Sequence, residues 1–313
     1  MNWKFALLLS WGLLAGAAGC QPAAARAEQA NDPDSRLRIV ATTSLVGDVL
    51  SRVAGGRIEL RVLLPPGADP HSFQSTPQDA AAVAEAQLVF INGFGLEEAL
   101  LETLASVAGT LPLISISDGI EPHELAGAEG ELGEAGTADP HVWLDPTNVL
   151  VWVENARAGL TRVDPAGEAQ YAANATAYQA ELKELDGWIW GEVERIPAEK
   201  RTLVTDHDSL GYFAARYGFQ IVGAVIPAYS TLAQPSAQEI AELEQTIARY
   251  KVPALFVGVG FNPALSERVA QDMGVALVPL YTDSLSGSEG PAATYLDLMH
   301  YTATAISEAL SLP

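Results

Sequence analysis

Two of the chain's five histidines follow the same dipeptide, in Asp69-Pro70-His71 and Asp139-Pro140-His141. Imidazole is the commonest protein ligand for a metal ion. Proline restricts its own φ and pushes the preceding residue away from the α region, so each histidine is presented from a pre-shaped turn. Less freedom is then lost when the ring binds something. Asp69 and Asp139 are placed to orient those rings or to accept from their free N–H, as metal-bound histidines usually require. A third histidine, His207, stands beside Asp208 in "LVTDHDSLGYFAARYG", and a carboxylate, Asp283, stands in "VPLYTDSLSG". Asp208 either orients a neighbour or faces solvent. Three imidazoles and one carboxylate can fill a four-coordinate shell around a divalent cation. Taken singly, each histidine reads at least as well as a structural residue, so the case rests on where the chain puts them together.

From Leu37 onward short β-branched runs alternate with longer helical patterns. Strands are expected at Ile39–Thr43, Ile58–Leu64, Leu88–Asn92 and Leu113–Ile116. A second series is expected at Thr202–Thr205, Gln220–Val225, Ala254–Val257 and Ala276–Leu280. Between them lie helical stretches such as Pro77–Glu85, with Thr76 as N-cap and proline in the first turn. Such alternation means parallel sheets covered on both faces, here two four-stranded α/β lobes with a core each. In such sheets ligands bind beyond the carboxyl ends of the strands. His71, His141, His207 and Asp283 each follow a strand, two in each series, which makes them a set. His300, inside the terminal helical pattern, and His123, in the acidic stretch "DGIEPHELAGAEGELGEAGTAD", do not share that placement. That stretch, residues 118–139, reads as a solvated loop, with weak cation gathering as the alternative.

The most regular segment lies between the lobes. Asp164-Pro165 reads as a helix start, and Tyr171, Ala175, Tyr178, Leu182, Leu185 and Ile189 follow at helical spacing. The expected lobes are 37–163 and 197–313, with a connecting helix over 164–196. A continuous helix restrains the lobes, where a Gly/Ser linker would let them swing; a coiled-coil partner helix is the rival reading of the stripe.

With 17 Lys+Arg against 39 Asp+Glu, the formal charge is −22. No basic face is available for nucleic acid. Lys4 and the apolar run Phe5–Ala18 resemble a secretion signal too short to span a membrane. The run ends at Ala17-Ala18-Gly19-Cys20, which resembles a bacterial lipobox; residues 1–19 are then a leader and Cys20 the lipidated first residue. The alternative is an ordinary signal with a stray cysteine. Cys20 is the chain's only cysteine, so neither a disulfide nor a cysteine-based metal site is available. Residues 20–36 read as a disordered tether. The working protein is expected outside the cytoplasm, leashed to a membrane.

Several long segments carry a family resemblance from Leu37 to the C-terminus: "VATTSLVGDV", "LLPPGADPHSF", "DPHVWLDP", "DPAGEAQYAANATAYQAELKELD", "QPSAQEIAEL", "PLYTDSLS" and "GPAATYLDLMHY". In these the chain resembles the cluster A-I (cluster 9) substrate-binding proteins, the metal-binding lipoproteins of zinc and manganese ABC importers. The resemblance implies two α/β lobes joined by one long backbone helix, with metal in the cleft between them. It implies a monomer that delivers its ion to a membrane permease powered by a cytoplasmic ATPase. The family's metal ligands fall here on His71, His141, His207 and Asp283. Gln74, Gln234 and Gly258 stand where many members carry glutamate, and the loop that is histidine-rich in many zinc-specific members is acidic here.

Relatives that favour manganese often carry glutamate at the position of His207. Imidazole suits zinc and oxygen-rich shells suit manganese, so Zn²⁺ is the expected cargo, with Mn²⁺ or Fe²⁺ the alternatives. A secreted zinc hydrolase is the rival class, with Asp208 as its base. Against it, the fourth ligand comes from protein and no HExxH motif occurs. An adhesin role, described for some relatives, is a further reading.

Overall fold

A computed structural model of the chain describes residues 36–97, 100, 113–123 and 138–311. The leader, Cys20, the tether up to residue 35 and residues 124–137 of the acidic loop lie outside the described residues. Among the described residues no helix is long and apolar enough to cross a membrane.

The first sheet is built from β1 (Leu37–Ala41), β2 (Ile58–Val62), β3 (Leu88–Ile91) and β4 (Leu113–Ser115), all parallel, in the order β2-β1-β3-β4. Its helices are α1 (Ser44–Ala54), α2 (Pro77–Glu85) and α3 (Pro146–Val163). Thr43 caps α1 by accepting from Val46 N–H. Thr76 caps α2 in a reciprocal box with Asp79, and Pro77 occupies the position where no N–H is needed. After α4 (Glu168–Glu194) the scheme repeats. The elements there are β5 (Thr202–His207), α5 (Gly211–Tyr217), β6 (Gln220–Ile226), α6 (Ala237–Tyr250), β7 (Ala254–Gly258), α7 (Ala264–Met273), β8 (Ala276–Leu280) and α8 (Tyr295–Ser311). The second sheet runs β6-β5-β7-β8, again parallel. In each sheet the chain reverses its direction of travel between two central strands, β1 and β3 in one and β5 and β7 in the other. The loops part there and leave a crevice at the carboxyl ends.

The expectation of one core per lobe is corrected by how the strands distribute their side chains. Successive residues of a strand face opposite ways. Ile39, Ala41, Leu88 and Phe90 of the first sheet, and Leu203, Ala254 and Phe256 of the second, belong to one continuous buried cluster. Their neighbours Val40 and Val89 face a small outer cluster closed by Val83 of α2. Val204, Leu255 and Val257 face another, closed by Leu243 and Ile247 of α6. The shared core is continuous because α4 runs through it, presenting Tyr171, Ala175, Tyr178, Leu182, Leu185, Ile189 and Val193 as one buried stripe. Against that stripe pack α1 and α3 from the first lobe and α8 from the second. With 27 residues, α4 is about 40 Å long.

Asp164 does not cap α4 as the sequence suggests. It ends α3, donating its N–H to Leu160, and Pro165–Gly167 forms a 3₁₀ turn before α4 begins at Glu168. Its Oδ2 instead accepts from Arg57 Nε at 2.8 Å and Tyr171 Oη at 2.6 Å, fastening the β2 side of the first sheet to the first turn of α4.

Candidate metal centre

The two Asp-Pro-His segments fold into the same local device. His71 N–H donates to Asp69 Oδ1 at 2.9 Å, and His141 N–H donates to Asp139 Oδ1 at 2.9 Å. Proline has no N–H, so the histidine's is the first one that the aspartate can capture. One turn follows β2 and the other precedes α3, so both project from the carboxyl side of the first sheet. His207 is the last residue of β5, and Asp283 lies three residues beyond β8. Folding brings the four side chains together: one donor atom from each of His71, His141, His207 and Asp283 lies within 4.8 Å of all the others.

The spacing has the dimensions of a coordination shell. His71 Nε2 and His141 Nε2 are 3.3 Å apart. Asp283 Oδ1 lies 3.2 Å from His141 Nε2, 3.8 Å from His207 Nε2 and 3.9 Å from His71 Nε2. Donors held tetrahedrally at zinc's usual bond lengths would be roughly 3.4 Å apart. His207 Nε2 and Asp283 Oδ1 are buried without a hydrogen-bond partner. An unsatisfied buried polar atom is costly, and a cation at the centre of these four atoms would satisfy both.

The ring orientations are set from outside the cluster. Asp139 Oδ1 lies 2.7 Å from His141 Nδ1, and Asp206 Oδ1 lies 3.0 Å from His207 Nδ1. Each carboxylate holds a proton on Nδ1 and turns the Nε2 lone pair inward. Asp206 also accepts the backbone N–H of His207 at 2.9 Å and, through Oδ2, that of Gly258 at 2.8 Å, tying β5 to β7. Thr282 Oγ1 donates to Asp283 Oδ2, leaving Oδ1 for the cluster. Trp143 Nε1 donates to the Thr282 carbonyl at 2.7 Å, a bond from the first lobe to the residue beside Asp283.

These surroundings separate the three imidazoles electrically. Burial and the charge of His141 pull His71 down to about 4. For His141, burial pulls the same way, but the hydrogen bond and charge of Asp139 together with Asp283 outweigh it and hold the ring above its ordinary value. His207 is likewise opposed by burial, yet Asp206 and Asp283 raise it to about 10. Burial pushes Asp283 up, but His207 and His141 dominate and keep its carboxyl well below the usual range. A cation bound here would compete with the proton on His207, because metal ligation requires the neutral imidazole.

The flanking aspartates divide their duties. Asp139 orients a ring, whereas Asp69 bonds no ring: its Oδ2 accepts from Ser72 Oγ and Thr231 Oγ1, each at 2.8 Å. Asp208 bonds neither His207 nor His141 and reaches them only through charge, while burial pushes its carboxyl up. The orienting role belongs to Asp206, which the sequence reading passed over. The signal was present in "TDHD", where carboxylates flank His207 on both sides, but simple strand alternation would turn Asp206 away. His123 stacks on Tyr212, ring centroids 4.0 Å apart, and His300 meets Trp188 at 4.2 Å; neither is in the cluster. At Gly258 a Cβ would lie 2.2 Å from the ring of Phe261, and that ring meets His207 edge-on at 5.1 Å. An aromatic ring thus fills the space into which a side chain at 258 would project.

Residues 39–309 match the family model described as ZnuA, zinc-uptake complex component A, periplasmic. The chain belongs to that family. It is 33% identical over 296 residues to the manganese-binding lipoprotein MntA of Halalkalibacterium halodurans, covering 94% of each chain. It is 32% identical to the iron-binding protein YfeA of Yersinia pestis, covering 89% of this chain and 88% of that one. Among solved structures, the periplasmic zinc-binding protein TroA from Treponema pallidum superposes with a TM-score of 0.81 at 28% identity, over 89% of this chain and 100% of that one. The Mn-bound periplasmic metal-binding protein of Candidatus Liberibacter asiaticus gives 0.78 at 27%, over 88% and 100%. Other curated relatives are named ABC transporter substrate-binding lipoproteins, and this family member is an extracytoplasmic metal-binding receptor of an ABC transporter, not an enzyme. The hydrolase reading is set aside.

Proposed function

We propose that this receptor captures Zn²⁺ through His71, His141, His207 and Asp283 and hands it to an ABC permease driven by a cytoplasmic ATPase. The observation that carries the reading is the inward convergence of three Nε2 atoms and one carboxylate oxygen, two of them buried without a partner. A shell of three nitrogens and one oxygen suits zinc better than the oxygen-rich shells of manganese, and zinc stands above manganese in the Irving–Williams order. The names of the relatives divide among manganese, iron and zinc, so the donor chemistry decides the proposal. Mn²⁺ is the second reading, favoured by the manganese-binding names among the curated relatives. Lipidation at Cys20 would keep the receptor at the membrane beside its permease.

The test is a titration of metal-stripped protein with Zn²⁺ and Mn²⁺ against competing chelators. Trp143, whose ring is 5.4 Å from that of His141, serves as the fluorescent reporter. Tight one-to-one zinc binding with much weaker manganese is expected. Equal affinities would move selectivity to the permease or to metal supply, and tight binding of neither would sink the four-ligand site.

A further inference from the structure

Three of the four donor side chains are held from behind. His141 leans on Asp139, His207 on Asp206 and Asp283 on Thr282. Among the described residues no such contact holds the ring of His71, whose direction depends on the turn that carries it. It is also the least buried of the four, 6% exposed against 0–1% for the others. Opening of the site is therefore easiest at this turn.

The turn is fastened to the opposite lobe at two places. At its root, Gly67 N–H donates to Ser284 Oγ at 2.8 Å and to the Leu285 carbonyl at 3.1 Å. The Gly67 carbonyl lies against Gly260, where a Cβ would come within 2.6 Å of the oxygen and φ is +109°. Nearer the histidine, Thr231 Oγ1 of the other lobe donates to Asp69 Oδ2 at 2.8 Å. Thr231 lies between β6 and α6. The other oxygen of Asp69 accepts the His71 N–H. One carboxylate therefore receives both the backbone of a donor residue and a hydroxyl from across the cleft. Separating Thr231 from Asp69 frees the turn whose geometry aims His71.

We propose that Thr231 is a positioning residue for metal retention: its hydroxyl, donated across the cleft to Asp69, holds the His71 turn closed and sets how fast the ion leaves. Hydrogen bonds to charged groups are stronger than neutral ones, and this one acts on the least restrained donor. Release then begins with His71, while the three braced donors let go afterwards.

The inference rests on His71 being a ligand, and the two claims fail separately. Zinc is loaded onto the full chain and its release into excess chelator is followed by stopped flow. Thr231→Val keeps the shape and removes the donor; release should be about fivefold faster. Thr231→Ser restores the hydroxyl and should release at the parent rate, which a merely space-filling role for the threonine would not predict. Parent-like release from Thr231→Val, or release from Thr231→Ser as fast as from the valine variant, would overturn the clasp. Equilibrium titration of His71→Ala tests the ligand itself: undiminished affinity there would remove His71 from the shell.

Discussion

The same tripeptide occurs twice in one lobe and ends in two different states. At Asp139-Pro140-His141 the aspartate accepts both the backbone N–H and the ring Nδ1, and the histidine is wholly buried. At Asp69-Pro70-His71 the backbone bond is identical in length, but the second oxygen turns to Ser72 and Thr231 and the ring goes unheld. Their proton affinities move in opposite directions, His141 up and His71 down to about 4. Local sequence dictates the turn; what the carboxylate's remaining valence meets decides whether the ring is braced. One copy anchors its ring and the other leaves its ring unheld.

The comparison can be broken most sharply at the anchor. His141→Ala should weaken zinc binding by about a hundredfold or more, since it removes a donor that also neighbours Asp283; near-normal affinity in the chelator titration would remove His141 from the shell. Asp139→Ala should cost roughly 10–100-fold, the usual effect of losing the group behind a metal-bound histidine. Asp69→Ala should cost less at equilibrium than Asp139→Ala, because Asp69 bonds the turn and not the ring itself. Equal losses would mean the two turns do the same work.

The pH dependence sharpens the contrast further. His207, raised to about 10, carries a proton at neutral pH that a bound cation must displace, and His141 is shifted in the same direction; His71, at about 4, is already neutral. Affinity should rise with pH, with at least one proton released per ion near neutrality, and level off above about 10, where His207 is deprotonated. Calorimetry in buffers of different ionisation enthalpy counts those protons. His207→Ala should lower the count by about one and His71→Ala should leave it unchanged. The smallest effect is expected at His300→Ala, which should not alter zinc affinity, since that ring meets Trp188 and lies outside the cluster.

Much of this was legible in residue order. The alternation of β-branched runs with helical stretches, proline after Thr76, and the apolar spacing from Tyr171 to Ile189 record local preferences and periodicity, which act over a few residues. Placing His71, His141, His207 and Asp283 at or beyond strand ends needed only the rule that parallel strands deliver their loops to one edge. The doubled Asp-Pro-His turn is equally local, because proline leaves the histidine N–H as the next donor in reach.

What tertiary structure alone decided involves partners distant in the chain. Thr231 and Asp69 are 162 residues apart, and Gly258 and Asp206 are 52 apart, so no short-range pattern announces either bond. The choice of Asp206 over Asp208 to orient His207 depends on β7 supplying the Gly258 N–H. Asp164 leaves its expected cap because Arg57 and Tyr171 offer its carboxylate charge and a hydroxyl where a cap offers one amide. The single core shared by both lobes arises because α4 buries one stripe against helices from each, a packing outcome that strand and helix patterns read one by one do not contain. Sequence determined which residues could form a site and on which edge. Packing determined which candidate donors are braced by a neighbouring carboxylate or hydroxyl and which is not.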